Sequence, residues 1–316
     1  LETEQAHSGR IYSGRDAALR RPRAADSYDA AQRPSRTAQR AVPTVWLNLI
    51  CLDAPLVSVA WLWLFAKTFH ATVQPVNCAA LFLTAWLIYL ADRLADSCSL
   101  PTEGPRSLRH EFCLRHRPIW IAALIVIAVS DAVLVWNRLG PATFLAGGLV
   151  GTLALIHLVL NYSLGGAWPP LPLKEAAVGS LFAAGTLVAL FPLRSPVTGS
   201  LVFSVITFGL VCTLNCISIA SWERELDETQ QKVSFATRFP GSGRHLWKFS
   251  IALAVGSGVA AIVRREAAPI LGCVGVSAFL LALLDFLRGR IDRDQRVALA
   301  DLVLLTPLLV LLFMSS

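Results

Sequence analysis

From Val45 to Met314 the chain is a succession of long apolar runs separated by short polar ones. Runs of this length leave few folds open. A bilayer's hydrocarbon core is crossed by roughly 20 apolar residues in a helix. Backbone groups in lipid must be satisfied within their own segment, which a helix does and an open sheet edge does not. Nine runs have the required length: Val45–Phe69, Val76–Ala95, Pro118–Trp136, Ala142–Asn161, Pro172–Leu193, Val197–Ala220, Leu246–Val263, Pro269–Leu287 and Val297–Met314. The expected fold class is therefore all-α: a polytopic membrane protein with nine transmembrane helices. Composition agrees, with 16% charged residues where a soluble domain carries about 25%.

The net charge of +7 raises the question of nucleic acid. The basic residues lie between the apolar runs, where topology signals sit, so no nucleic-acid partner is expected. Residues 1–42 are rich in Ala, Arg and Ser and lack apolar periodicity, and they read as a disordered basic cytoplasmic tail. Glu2, Glu4, Asp16, Asp26 and Asp29 argue against a transit peptide, which is poor in acids. Residues 43–316 then form the transmembrane domain. The cysteines fall mostly inside apolar runs without a spaced framework, so no structural disulfide is expected.

Orientation follows from Lys and Arg. With the N-terminus inside, only Lys67, Arg138, Arg194, Arg264 and Arg265 of the 28 basic residues fall outside. Such asymmetry is a strong topology signal. An integral multi-pass protein of a bacterial inner (plasma) membrane is expected, with its N-terminus cytoplasmic.

Two stretches carry the chemistry. The second run ends in W-L-I-Y-L-A-D-R-L-A-D, with Asp92 and Asp96 four residues apart. The sixth ends in I-A-S-W-E-R-E-L-D, with Glu223 and Asp227 at the same spacing. On a helix that spacing stacks both carboxylates on one face. Each pair is followed by a long basic loop, Ser97–Arg117 and Glu228–His245, and the topology puts both on the cytoplasmic side. The second and sixth runs thus look equivalent, which suggests two four-helix halves plus a ninth helix.

Four carboxylates without a His/Cys pattern are hard oxygen donors. They suit Mg²⁺, which is commonly held by one or two carboxylates together with substrate phosphates. Arg93, Arg109, Arg115, Arg117, Lys174, Arg224 and Lys232 lie close by in sequence and suit the free oxygens of a diphosphate.

At these residues the chain resembles the UbiA superfamily of intramembrane prenyltransferases. D-x-x-x-D at Asp92–Asp96 matches that family's first motif. E-x-x-x-D at Glu223–Asp227, with Lys232 and Ser234 behind it, is similar to the second. Arg117-Pro118 resembles the Arg-Pro after the first motif, and Leu173-Lys174 after Tyr162 resembles the Tyr…Lys-Arg segment. The chain departs from the pattern at Ile88 and Ile219, where a polar residue is usual before the motif acids, at Glu223 in place of Asp, and at Glu175 where Arg is frequent. Asn215 is placed to substitute in part for a missing polar ligand.

The resemblance implies nine spans and Mg²⁺-dependent transfer of a prenyl group from a prenyl diphosphate to a hydrophobic acceptor, aromatic or lipid. It implies Asp92, Asp96, Glu223 and Asp227 as metal ligands. Tyr89, Trp86 and Trp222 are near enough in sequence to offer aromatic faces to an allylic cation.

Asp53, inside the first run, is ionisable at membrane depth and hence a functional candidate by default, to bind or deprotonate an acceptor. Its other reading is a carboxylate bonded near the interface to Arg or Asn48. Asp131, near the middle of the third run, is either functional or a hydrogen-bonding link between helices. Asp301 reads as interfacial. His110, Cys113 and His116 form H-x-x-C-x-x-H without a fourth ligand at zinc spacing. Gly147, Gly148, Gly151, Gly256 and Gly258 read as sites of close helix packing. Two other functions fit the same features: a terpene cyclase of the UbiA type, and a transporter or non-catalytic membrane protein. A transporter is expected to show broken helices and midplane ligands.

Overall fold

The computed structural model describes residues 43–100, 104–164, 173–190 and 197–314. The expected N-terminal tail lies outside the described residues, as do residues 165–172 that precede Leu173 and Lys174. Helices account for almost all of the described chain, and no strand occurs among the described residues.

The apolar runs form rods. Helices α1 (Pro43–Leu49) and α2 (Asp53–Thr68) share the first run, and α3 (Pro75–Ser99) takes the second. A short α4 (Leu108–Arg115) precedes α5 (Arg117–Arg138) and α6 (Pro141–Leu164). Then come α7 (Leu173–Leu187), α8 (Gly199–Trp222), α9 (Arg224–Thr229) and α10 (Phe235–Arg238). The chain ends with α11 (Leu246–Val263), α12 (Ala268–Phe286), α13 (Arg293–Leu302) and α14 (Thr306–Met314). Proline opens α3, α5 and α12 within the first two positions, where its missing N–H costs nothing.

Six of these helices, α3, α5, α6, α8, α11 and α12, are long and apolar enough to cross a membrane. Large apolar side chains such as Ile125, Leu145, Ile262 and Phe286 are exposed on their outer faces, an arrangement that suits lipid and not water. The other three runs are occupied by shorter pieces. The first is broken at Ile50–Leu52, where Cys51 takes a left-handed φ of 56°. The break frees the Ile50 carbonyl, which accepts from Trp86 Nε1 at 3.0 Å. The last run passes through a 3₁₀ turn, Val303–Leu305, whose Leu304 carbonyl accepts from Trp61 Nε1 at 2.8 Å. Indole N–H groups thus answer carbonyls at two irregular places, as buried backbone requires.

One core joins α2, α7, α8, α12 and α13. Trp61 stacks on Phe208 at 4.3 Å between centroids, with Phe65, Leu187, Val211, Ile270, Val274 and Leu281 sealed around them. A smaller cluster ties α3 to α4 and α5 through Leu90, Cys113, Trp120 and Ile127. The close approaches are not where the paired glycines lie. A Cβ at Gly148, Gly151, Gly256 or Gly258 would meet nothing within 4 Å, whereas one at Gly179 would come within 2.6 Å of the Thr213 backbone nitrogen. Gly179 lets α7 lie against α8; Gly148 and Gly151 instead border an open space. All seven cysteines are free thiols.

Candidate functional site

That open space is a cavity of about 610 Å³, bordered by α3, α5, α6, α7 and α8. Its walls change character along α3. Asn77 and Thr84 come first, Ala85 and Ile88 follow, and Tyr89, Asp92, Arg93 and Asp96 close the sequence. The spacing of these residues is that of a single helical face.

The polar end is built by segments that converge from distant parts of the chain. Leu108 N donates to Asp294 Oδ2 at 3.4 Å, Gln230 Nε2 to the Pro105 carbonyl at 3.0 Å, and Phe235 N to Glu175 Oε1 at 3.0 Å. The loop after α3, the segment after α9 and the starts of α7 and α13 therefore meet at the ends of α3 and α8. Asp92, Asp96, Glu223 and Asp227 all line the one cavity, with Arg93, Arg109, Lys174 and Lys232.

The acids are held by internal partners. Tyr162, at the end of α6, places its hydroxyl 2.9 Å from Asp96 Oδ1 and 3.3 Å from Asp92 Oδ1, so one donor ties both carboxylates. Lys232 Nζ lies 3.3 Å from Asp96 Oδ2. The backbone reaches this point because Gln231 adopts a left-handed φ of 56° and Lys232 N bonds the Asp227 carbonyl at 2.8 Å. Arg109 pairs with Glu223, a contact between side chains that are both largely buried. Burial, together with the neighbouring charge of Glu223, pushes Asp227 up to about 6, against a hydrogen bond from Ser234 and the pull of Lys232. Burial and the surrounding cations Arg109, Lys232 and Arg93 push His110 down to about 2. Its ring is therefore neutral at physiological pH, with Nδ1 2.9 Å from the Ser107 hydroxyl.

Some valences stay open. Glu223 Oε1 is a buried acceptor, and Arg93 Nη1 and Arg109 Nε are buried donors, without hydrogen-bond partners among the described residues. Orphaned polar atoms of both signs in one cavity are costly, and a ligand that combines cation and anion answers both. Among the described residues no three His, Cys, Asp or Glu side chains stand together as a ready-made metal cage. The oxygen-only donor set and the open Glu223 oxygen fit a Mg²⁺ ion completed by phosphate and water, which needs only one or two protein carboxylates.

Several expected site residues lie elsewhere. Trp222 turns away from the cavity: its Nε1 donates to Asp285 Oδ1 at 3.0 Å and its ring lies under the Arg296 guanidinium at 5.1 Å. Trp86 is used at the α1–α2 break. Of the three expected aromatic faces, Tyr89 alone lines the cavity, edge-on to Phe182 at 6.3 Å. Arg115 and Arg117 are exposed on α4 and α5. Arg224 is taken by Glu228 at 2.7 Å and the Pro240 carbonyl at 3.1 Å.

Asp53 opens α2 immediately after the break, where a carboxylate meets the favourable end of the helix dipole, and its partner is Asn48, the second of its two expected roles. The Asn48 amide donates to Asp53 Oδ2 at 2.7 Å and to Asp301 Oδ2 at 2.9 Å. Asn215 completes the group by donating to Asp301 Oδ1 at 3.1 Å. Asp301 and Asn215 line the cavity beneath the acid pairs, so Asp301 is more than interfacial.

Three contributors have a role that the sequence does not reveal. Tyr162 is marked only as the tyrosine of the Tyr…Lys-Arg resemblance, with no tie to the acid pair, and Glu175 only by its departure from a pattern. Asp301 looks like an ordinary interfacial acid near the start of an apolar run.

No protein-family model matches the chain, and neither a curated protein nor a solved structure is significantly similar to it.

Proposed function

We propose that the chain is an intramembrane prenyltransferase of the UbiA type. In this reading it has nine spans, lies in a bacterial inner membrane, and carries both acid pairs on the cytoplasmic side. The observation that supports it most is the pairing of open buried donors, Arg93 Nη1 and Arg109 Nε, with the open acceptor Glu223 Oε1 above an apolar cavity. A prenyl diphosphate with its cation has the complementary form: charged at one end, hydrocarbon at the other.

Asp92, Asp96, Glu223 and Asp227 would hold Mg²⁺, which when bound neutralises charge on the diphosphate oxygens. Arg93, Arg109, Lys174 and Lys232 bind the remaining oxygens and stabilise the negative charge that grows as the carbon–oxygen bond breaks. Tyr162 keeps Asp92 and Asp96 in one orientation. The hydrocarbon lies along Ile88 and Ile219, both of which line the cavity. There the apolar side chains, in place of polar ones, exclude water from the allylic carbon. Tyr89 offers the aromatic face for the cation, and a hydrophobic acceptor bonds to that carbon as the carbon–oxygen bond to diphosphate breaks, giving up its proton to the released diphosphate.

The reading is tested by incubating membranes with labelled prenyl diphosphates of several lengths and Mg²⁺. A labelled lipid product is expected, and Asp92→Ala and Asp227→Ala each lower its formation about 100-fold or more. Transfer unchanged in both variants contradicts it.

One observation favours a second reading. The helix breaks at Ile50–Leu52 and Val303–Leu305 flank the linked Asp53 and Asp301, and broken helices beside buried acids are a transporter's usual substrate site. Transport of a phosphorylated lipid without product formation would support that reading.

A further inference from the structure

The cavity has a second polar end. Asp131 on α5 is 7% exposed and lines the cavity, as does Thr84 on α3. Thr84 Oγ1 donates to Asp131 Oδ2 at 2.7 Å. Asp131 Oδ1 is buried and has no hydrogen-bond partner among the described residues. A link between helices accounts for Oδ2 and leaves Oδ1 unexplained. A carboxyl oxygen at membrane depth without a partner is expensive, and one beside a cavity can be answered by a donor that arrives with a ligand.

The separation of the two ends follows from the helix. Thr84 precedes Asp92 by eight residues, about 12 Å of rise, and Asp96 by about 18 Å. The wall between them is small and apolar. Ala85 and Ile88 face it from α3, and Gly148, Gly151 and Ala154 from α6. No atom lies within 4 Å of a notional Cβ at Gly148 or Gly151, so the glycines leave width for a chain.

We infer that Thr84 and Asp131 form a distal polar subsite that takes a hydrogen-bond donor, a hydroxyl or an amine, carried on the apolar part of the ligand about 12 Å from its anionic head. The inference rests on the reading above for the head alone. Its consequence is selectivity. A plain hydrocarbon end leaves Asp131 Oδ1 unanswered, whereas a hydroxylated end satisfies it.

The test uses the purified full chain in detergent with Mg²⁺ and two probes, dodecyl diphosphate and 12-hydroxydodecyl diphosphate. The wild type is expected to bind the hydroxylated probe about tenfold more tightly, the worth of one buried hydrogen bond. Asp131→Leu loses that preference, while Asp131→Asn, which keeps an acceptor at the same place, retains most of it. Equal binding of the two probes by the wild type overturns the subsite. Inorganic diphosphate, measured alongside, reports on the head separately. If it and both probes fail to bind, the diphosphate reading fails. The subsite then stands or falls on whether dodecan-1-ol, and not dodecane, raises the unfolding temperature of the wild type but not of Asp131→Leu.

Discussion

Lys232 and His110 show how single side chains set the chemistry of the polar end. Both lie against Asp96, at 3.3 Å and 3.9 Å, but only Lys232 brings a charge, because His110 is held neutral. That state has a measurable cost in acid. His110 falls from an ordinary 6.5 to about 2 in the folded chain, so between these values the unfolded chain binds a proton that the folded chain refuses. The His110 contribution to stability is therefore unaffected above pH 6.5 and declines as the pH falls below it, by about 2 kcal/mol at pH 5, while Asp227, raised to about 6 in the folded chain, works the other way and gains stability as the pH falls through 6. Thermal unfolding in detergent is expected to show His110→Gln gaining on the wild type by about 2 kcal/mol as the pH falls from 7 to 5, because the Asp227 contribution is common to both. An equal slope in both contradicts the assignment. At this scale the sequence was legible where spacing carries meaning. Asp92 and Asp96, Glu223 and Asp227 are recognisable because i, i+4 acids share a helical face. Tyr162 was marked only by its place in a resembled segment; its bond to both acids was not legible, because that contact depends on where α6 ends relative to α3. Trp222 was misplaced for a related reason, since nearness in sequence to a motif does not say which side of α8 a ring occupies.

Among the elements, the long runs were legible as helices from length and apolarity alone. Their interruptions were not. Nothing in L-I-C-L-D marks a left-handed Cys51, and the break persists because Trp86 and Asn48 satisfy what it exposes. The glycines teach the same lesson. Pairs of glycine suggest close packing, but packing depends on what faces them. Gly179, which stands alone, is the residue that α8 presses against. Gly179→Ala would set a Cβ 2.6 Å from Thr213 N and 2.8 Å from Thr213 Cα. Backbone atoms cannot swing aside, so a loss of about 1–3 kcal/mol or more is expected. Gly151→Ala meets no atom and should leave the unfolding temperature within about a degree of the wild type, or raise it slightly, given alanine's better helix propensity. Matched melting curves of the two variants check both statements, and a Gly179→Ala protein as stable as Gly151→Ala contradicts them.

The whole molecule is organised by convergence at one end. Charge asymmetry assigned the loop after α3, the segment after α9, and the starts of α7 and α13 to one side. The hydrogen bonds that join them make that end a single structure. What asymmetry could not reveal was the compensation within it, where Lys232 and Arg109 already sit on Asp96 and Glu223. Under the proposed function a cation and a diphosphate would therefore exchange partners with these residues on binding, and neither should bind well alone. The most direct measurement is the binding of inorganic diphosphate to the purified chain with and without Mg²⁺, in the wild type and in Asp92→Ala and Asp227→Ala. Tight binding that requires Mg²⁺ and is lost in both variants is the predicted result. Binding that is indifferent to Mg²⁺, or that survives removal of an acid from either helix end, would contradict the account.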